Sequence, residues 1–297
     1  MKAVFSLPGL FEFYELYKRF LPVFFENRDF FYDHCVIGSV YGAPPDCIWG
    51  GGRVEYGEAD PKEVFDMMAS YGISIRLTFS NSLLEEKHLV DKRCNSLCEL
   101  ALGYGKDING VIVASDLLTE YIDKHYQGIY MVSSTTKVIT DRKELTRELD
   151  RPEYRYVVPD FRLNDSFDYW STLDDRQKAK VELLCNENCY YGCTERKRCY
   201  EDVSHKNLGD DHPEHICHAP GAGEGYRFSS AMRNRGFIGT DDMISKYLPL
   251  NITNYKIEGR ALGSAMVLEF LLYYLTKPEY HINVREAIYL DNMLDLF

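Results

Sequence analysis

Short apolar runs alternate with longer segments of helical periodicity along almost the whole chain. Eight runs have the length and the β-branched or aromatic content of strands, and they lie at residues 2–6, 35–40, 73–79, 110–114, 129–132, 154–158, 181–184 and 253–257. Segments with apolar residues three and four apart follow them, at residues 10–25, 61–71, 83–102, 117–126, 142–149, 167–179, 240–248 and 264–276. These strand-then-helix units predict an α/β fold, a closed (β/α)8 TIM-type barrel, with an open doubly wound sheet as the alternative.

Two of the predicted strands carry polar side chains on one face. The segment ISIRLTFSN, residues 73–81, places Arg76 and Thr78 on one side, and NYKIEGR, residues 254–260, does the same with Lys256 and Glu258. Because the apolar face of a barrel strand meets the helices, these side chains should project inward, with Arg260 at the upper end of the last strand. In one interpretation the charges only satisfy one another. In the other, Arg76, Lys256 and Arg260 form a floor for an anionic, carboxylate-bearing small molecule.

Further polar groups follow predicted strands, where barrel enzymes place their active-site residues. They give four substrate-binding candidates: Asn81, Asp116, Ser134 and Asp160. Helix caps occupy the same kind of position, and Asp116 and Asp160 suit that role as well. The stretch CIWGGGR, residues 47–53, sets Trp49 and three glycines beside Arg53 and predicts a binding loop that approaches a ligand closely.

The composition fits one folded domain. The chain has 297 residues, of which 45% are hydrophobic, and no linker or repeat divides it, so residues 1–297 are predicted to form a single barrel. A net charge of −12 argues against strong general binding to nucleic acid. No run reaches the roughly 18 uncharged apolar residues of a membrane span, and we expect a cytoplasmic protein.

Cysteine is concentrated in one place, a predicted insertion at residues 188–236 between strands seven and eight. In a reducing cytoplasm such a cluster indicates a metal site more than disulfides. The ligand candidates are Cys189, Cys193, Cys199 and Cys217, with Cys185 in reserve or simply buried as a small hydrophobe. Four thiolates suit a 4Fe-4S cluster or tetrahedral zinc, and the spacing leaves both open. Four histidines of the insertion either substitute as ligands or lie in solvent: His205, His212, His215 and His218.

Several segments resemble the collagenase-like peptidases of unassigned catalytic type, family U thirty-two, which include ubiquinone-biosynthesis proteins and tRNA and rRNA hydroxylation proteins. The resemblance rests on GVIVASDLLTEYIDKHYQGIYMVSSTTK at 110–137, RYVVPDFRL at 155–163, the cysteine segment, ICHAP around Cys217, and ISKYLPLNITNYKIEGRALGSAMV at 244–267. The KIEGR strand after a cysteine-bearing insertion is the most specific of these.

The resemblance implies a barrel with a four-cysteine iron–sulfur cluster, and oxygen-independent hydroxylation of a small molecule or RNA with prephenate as a suggested oxygen donor. It also implies a partner subunit, since some members work in pairs. Cys189 and Cys217 match family ligands, and Cys193 looks like a shifted third. The family's last cysteine falls in YRFSSAMRNRGF, which has none. Cys199 or Cys185 must then supply the fourth ligand, or one iron stays open.

These considerations assign three residues to catalysis. Glu187 and Glu258 are candidate proton carriers, because a carboxylate in a dry barrel can have its pKa moved toward neutrality, and Arg260 is the candidate substrate-orienting cation. Two alternatives stay open. One is a peptidase, although the sequence has no persuasive Ser–His–Asp arrangement and no HExxH motif. The other is a zinc-stapled barrel that binds without catalysis.

Overall fold

Eight parallel strands form the centre of the molecule. The computed structural model describes residues 1–51 and 59–293. The strands are β1 Ala3–Pro8, β2 Cys35–Gly42, β3 Ser74–Phe79, β4 Gly110–Val113, β5 Tyr130–Ser133, β6 Tyr154–Val157, β7 Glu182–Leu184 and β8 Asn254–Lys256. They pair in the order β6-β5-β4-β3-β2-β1-β8-β7, and a parallel bridge between Val157 and Val181 joins the two ends. The predicted (β/α)8 barrel is confirmed, as a nearly closed ring.

Helices cover the outside of the ring and its C-terminal end. They are α1 Tyr14–Glu26, α2 Pro61–Ser70, α3 Lys92–Gly103, α4 Asp116–His125, α5 Arg142–Asp150, α6 Phe167–Trp170, α7 Asp175–Lys180, α8 Arg196–Leu208, α9 Phe228–Ala231, α10 Thr240–Asp242, α11 Ser264–Leu275 and α12 His281–Met293. Capping follows the sequence in several cases. The Asp60 carboxylate, for example, accepts hydrogen bonds from Lys62 N and Glu63 N, and Pro61 occupies the first turn of α2. None of the helices in the described part of the chain has the length and apolar character that a bilayer crossing requires.

Two predicted helices have different bounds, and capping explains both. Residues 83–102 were predicted as one helix, but α3 begins at Lys92 because the Asp91 side chain accepts a hydrogen bond from Cys94 N at 2.8 Å. Residues 167–179 are broken into α6 and α7. Asp174 and Gln177 form a reciprocal pair of hydrogen bonds, a capping box that starts a new helix.

The apolar core has two parts. The larger part lies between the strands and the helices and contains both tryptophans. The smaller part fills the inside of the ring with side chains from six strand positions: Tyr41, Ile112, Tyr130, Val132, Val158 and Leu184. Polar residues share this interior, as strand alternation predicts, because one face of each strand points into the ring.

The segment between β7 and β8 carries α8, α9 and α10, followed by a π-helical stretch at Met243–Tyr247. It leaves β7 at the C-terminal end of the ring. It therefore covers the end where barrel enzymes place their active sites.

Candidate active site at the barrel mouth

A cavity opens at the C-terminal end of the barrel, and we call it the mouth cavity. It has about 560 Å³ of space free of atoms, counted out to the solvent. Its lining comes from nearly every strand end and from α8: Tyr41, Thr78, Ser80, Ile112, Ser134, Thr135, Thr136, Val158, Leu184, Glu187, Tyr200, Lys256, Glu258 and Arg260. Five of the predicted site residues are therefore brought together here, namely Ser134, Glu187, Lys256, Glu258 and Arg260.

Two cations of the mouth cavity share one aromatic ring. Lys256 Nζ lies 3.3 Å from the centroid of the Tyr41 ring, and the Arg260 guanidinium lies 5.6 Å from the same centroid. The Tyr41 hydroxyl donates to Ile257 O at 2.7 Å, which fixes the ring against β8. Arg260 also donates to Thr78 Oγ1 at 3.3 Å. Two cations held on one ring thus share the cavity with the carboxylates of Glu187 and Glu258.

The two carboxylates of the mouth cavity belong to Glu187 and Glu258, and side-chain hydrogen bonds fix the segments around them. Asn186 Oδ1 accepts from Glu258 N at 2.7 Å, and Asn186 Nδ2 donates to Glu258 O at 3.0 Å. Asn186 thus joins the end of β7 to the end of β8. Glu187 Oε1 accepts from Cys189 N at 2.9 Å, so this carboxylate is the direct link between the mouth cavity and the cysteine segment.

A buried arginine of α8 connects these elements. Arg196 donates from Nη2 to Glu187 Oε2 at 2.6 Å, and its Nε lies 3.3 Å from Asp160 Oδ2. Asp160 is fully buried, caps the turn at Phe161–Leu163 and also accepts from Arg162 Nε at 2.6 Å. Burial alone would lower the pKa of Arg196, but the Glu187, Tyr200 and Asp160 groups raise it well above its ordinary value. Asp160 therefore has a structural ion-pair role in this structure and does not line the mouth cavity.

Arg76 lies inside the barrel and also does not line the mouth cavity. Its guanidinium forms a buried ion pair with Glu182 of β7 and donates from Nε to Tyr130 Oη at 3.0 Å. The ring of Tyr156 stacks on it at 4.5 Å. The predicted alternative of charges that satisfy one another describes Arg76, whereas Lys256 and Arg260 face the cavity.

Three other substrate-binding candidates lie away from the cavity. Trp49 is fully buried in the outer core and donates to His88 O at 2.8 Å. Asn81 bonds to Ile48 O and Ser204 O, which ties β3 to the next loop and to α8. Asp116 is exposed and begins α4, where it accepts from Arg151 at 2.7 Å. Arg53 lies outside the described residues.

The serines beside the cavity do not form a nucleophile with a base. Ser133 Oγ is buried on the face of β5 that meets α5, and it donates to Glu148 at 2.5 Å. Lys137 Nζ donates to the same carboxylate at 2.6 Å. Ser134 does line the cavity, where its Oγ accepts from Thr136 N at 3.2 Å.

The four predicted cysteine ligands lie in one region beside the mouth cavity. Cys193 and Cys217 line a second, open cavity that we call the cysteine pocket, with His215, His218 and Glu195. Burial raises the pKa of Cys199, and the charges of Cys217 and Cys193 raise it further.

Cys189 contacts the Arg196 guanidinium and interacts electrostatically with Cys193. Burial raises the pKa of Cys189 to about 11, and the Arg196 guanidinium opposes that rise. All nine cysteines are free thiols in the structure.

Two observations limit what the cysteine region can hold as it stands. Within the described ranges, no three thiol, imidazole or carboxylate groups already surround a point where a single ion would bind. Zinc requires sulfur bonds of about 2.3 Å, so side chains would have to move to take it. Cys185 is buried in the outer core, where burial raises its pKa well above the ordinary value, and it packs as a small apolar side chain.

Sequence reasoning missed several residues of the site. Ser39 and Tyr41 alternate at the end of β2, so period-two counting could have found Tyr41. No local signal points to Arg196 or Tyr200, because α8 is polar on nearly all sides and was not predicted as a helix. Glu182 could be identified as the partner of Arg76 only by knowing that β7 lies opposite β3 in the ring.

Comparison with known proteins supports the architecture. No protein-family model matches the chain, and no curated protein matches it. A solved structure of the U32 peptidase Mk0906 does match, with a TM-score of 0.56 and 14% sequence identity, over 87% of this chain and 93% of that chain. At this identity the likeness establishes a shared barrel fold.

Proposed function

We propose that the chain is an enzyme whose mouth cavity binds a small carboxylate-bearing molecule and modifies it by iron–sulfur-dependent redox chemistry, of which oxygen-independent hydroxylation is the expected type. The observation that carries the binding part is the pair of cations, Lys256 and Arg260, held on the Tyr41 ring at the mouth. Guanidinium and ammonium groups in such a partly enclosed site favour carboxylates.

The donor chemistry of the cysteine region supports the proposed cofactor. Cys189, Cys193, Cys199 and Cys217 offer four thiols in one segment, the ligand type that iron–sulfur clusters take. The four iron atoms of a cubane cluster each take one thiolate, so the four sulfur atoms lie further apart than around a single zinc ion. When bound, a 4Fe-4S cluster supplies single electrons. Its place here would be next to the mouth cavity, since Glu187 contacts Cys189 N and Tyr200 follows Cys199.

The residues of the chain take distinct roles in this proposal. Arg260 and Lys256 bind and orient the carboxylate. Glu258 stands on the same strand end and is the proposed proton carrier. Glu187 is already bonded to Arg196, so we expect it to orient the cysteine segment and to assist proton transfer only in second place.

A peptidase is the second candidate, and the observation that favours it is the fold shared with a solved U32 peptidase. The mouth cavity would then bind the carboxylate of a peptide. Gelatin and short peptides are the substrates to test, with Glu258→Gln as the variant that should abolish cleavage. If the protein contains iron and binds carboxylates but hydrolyses none of these substrates, the redox function is favoured over the peptidase.

Anaerobic purification followed by iron, sulfide and zinc analysis tests the cofactor, and titration calorimetry with prephenate and succinate tests the cavity. We expect about four iron atoms and four sulfides per chain, the content of one cubane cluster. We also expect Arg260→Ala to weaken carboxylate binding by about 10- to 100-fold, the loss of one charge-assisted pair.

Arg142→Ala is the matched control, because Arg142 pairs with Asp168 on the surface and should leave binding unchanged. Unaltered binding in Arg260→Ala would remove the assigned substrate site. If the protein contains no iron but still binds carboxylates, the redox proposal is wrong and a binding barrel remains. The zinc content then shows whether the cysteines bind a metal.

A further inference from the structure

His215 presents an imidazole nitrogen to the cysteine pocket without a hydrogen-bond partner. Its Nε2 is buried, and no residue in the described ranges bonds to it. The side chain lines both the cysteine pocket and the neighbouring groove that holds His205 and His212. A buried ring nitrogen without a partner is uncommon in folded proteins and marks a place where a ligand can supply the missing contact.

The position of His215 is fixed by the backbone. Its N–H donates to Asp202 Oδ1 at 2.8 Å, and Asp202 is in turn paired with Lys206 at 2.9 Å within α8. Two histidines of the neighbouring groove, His205 of α8 and the exposed His212, have other contacts. His212 stacks on His205 with ring centroids 3.9 Å apart, and His205 bonds to Asp210. His215 is therefore the anchored imidazole next to the thiols.

Two of the four thiols expected from sequence share the pocket with this nitrogen. Cys193 and Cys217 line the pocket with His215, and Cys199 interacts electrostatically with both. Cys199 and Cys189 do not line the pocket, although each interacts electrostatically with Cys193, and the Cys189 thiol also contacts the Arg196 guanidinium. The chain thus offers two thiols and one imidazole in the pocket, with two further thiols close to Cys193.

We propose that His215 Nε2 is a ligand of the metal centre beside Cys193 and Cys217, the two thiols that line the same pocket. This inference rests on the proposed function, because it concerns the same metal centre. A neutral imidazole in place of a thiolate lowers the negative charge of a cluster, which raises its reduction potential. The side chains must draw together on binding, since they do not yet converge on one point.

The test is pulsed electron paramagnetic resonance on the reduced, anaerobically prepared protein, grown with ¹⁵N-labelled histidine. We expect a nitrogen hyperfine coupling that changes with the label. It should vanish in His215→Ala and persist in His212→Ala, the matched control. His215→Cys should keep the iron and lower the reduction potential.

The outcomes separate the two proposals. Iron at the wild-type level with no histidine coupling, or a coupling that disappears only in His218→Ala, overturns the role of His215 and leaves the cluster in place. Protein with neither iron nor zinc overturns both proposals. Protein with zinc alone overturns the cluster, and the same variants then test His215 as a zinc ligand. Loss of zinc in His215→Ala but not in His212→Ala supports that role. Equal zinc in both variants overturns it.

Discussion

At the scale of single residues, the inside of the barrel depends on one buried ion pair. Arg76 and Glu182 are each at most 5% exposed in their side chains, and each is the main neutralising charge of the other. A charge left alone in such a place keeps its desolvation cost and loses its compensation.

We therefore predict that Arg76→Met destabilises the protein by about 3–5 kcal/mol. The double variant Arg76→Met/Glu182→Leu should recover a large part of that loss, because it leaves no unpaired charge. Urea denaturation measures both. Arg142→Ala, which breaks the exposed Arg142–Asp168 pair, should cost less than about 1 kcal/mol. A double variant no more stable than the single one would contradict this account.

Another residue-scale feature holds the loop that carries Arg260. Both oxygens of Glu12 accept from Ala261 N, at 3.1 and 2.9 Å, and Ala261 has a φ of 61° in the left-handed region. Burial raises the pKa of Glu12, while the Ala261 N–H and the Arg260 charge oppose the rise. The carboxylate thus restrains a strained residue next to the proposed substrate ligand.

This raised pKa gives a pH prediction. A carboxyl whose pKa is higher in the folded state binds protons more readily there, so its contribution to stability falls as the pH rises. The free energy of unfolding of the wild type minus that of Glu12→Gln should grow when the pH is lowered from 7 to 4. Because Glu12 is only partly buried, the change should stay below about 1 kcal/mol. Denaturation curves at several pH values measure it, and a difference that shrinks on acidification would refute it.

At the scale of elements, α8 is attached to the barrel through Arg196 at its start and through Ser204 and Asn207 nearer its end. Asp160 and Glu187 are buried with this guanidinium, and Asn81 Nδ2 donates to Ser204 O of the helix. Arg196 also packs on the rings of Phe161 and Tyr200.

We predict that Arg196→Ala costs about 3–5 kcal/mol, because it leaves the buried Glu187 carboxylate without its cation, whereas Asp160 keeps Arg162. It should also make the segment between β7 and β8 the first site of limited proteolysis. Mass spectrometry of the fragments locates the cuts. Arg198→Ala is the control, since Arg198 pairs only with the exposed Glu195 one turn away. Equal protease resistance of the two variants would show that α8 is held by other contacts.

The same scale shows how far the sequence predicts this molecule. Hydrophobic periodicity placed all eight strands within about two residues, because strand burial depends on local alternation. It also predicted that Lys256 and Glu258 project into the barrel and that Arg260 lies at its upper end, and all three line the mouth cavity. It did not find α8, whose sequence RKRCYEDVSHKNL has no apolar stripe and whose position depends on Arg196. Arg76 was ambiguous for a similar reason, since its partner Glu182 lies 106 positions away in sequence.

At the scale of the whole molecule, the ring of strands has one weak place. Neighbouring strands elsewhere pair over several residues, whereas β6 and β7 are joined by the single bridge between Val157 and Val181. Fewer ladder hydrogen bonds mean a lower free energy of local opening.

Hydrogen–deuterium exchange should therefore start at this seam. We expect peptides from residues 154–157 and 181–184 to exchange faster than peptides from β2 at residues 35–42, which pairs on both sides. Cluster or metal binding just after β7 should slow exchange at 181–184 more than at 35–42. Uniform protection around the ring would contradict the weak seam.

The reciprocal hydrogen bonds between Asn186 and the backbone of Glu258 have a mechanical consequence. They join the backbone just after β7 to the backbone just after β8, so we expect the two segments to move together. Any displacement of the segment after β7 should then also shift Glu258 and, two residues beyond it, Arg260, so the shape of the mouth cavity depends on the position of the cysteine segment.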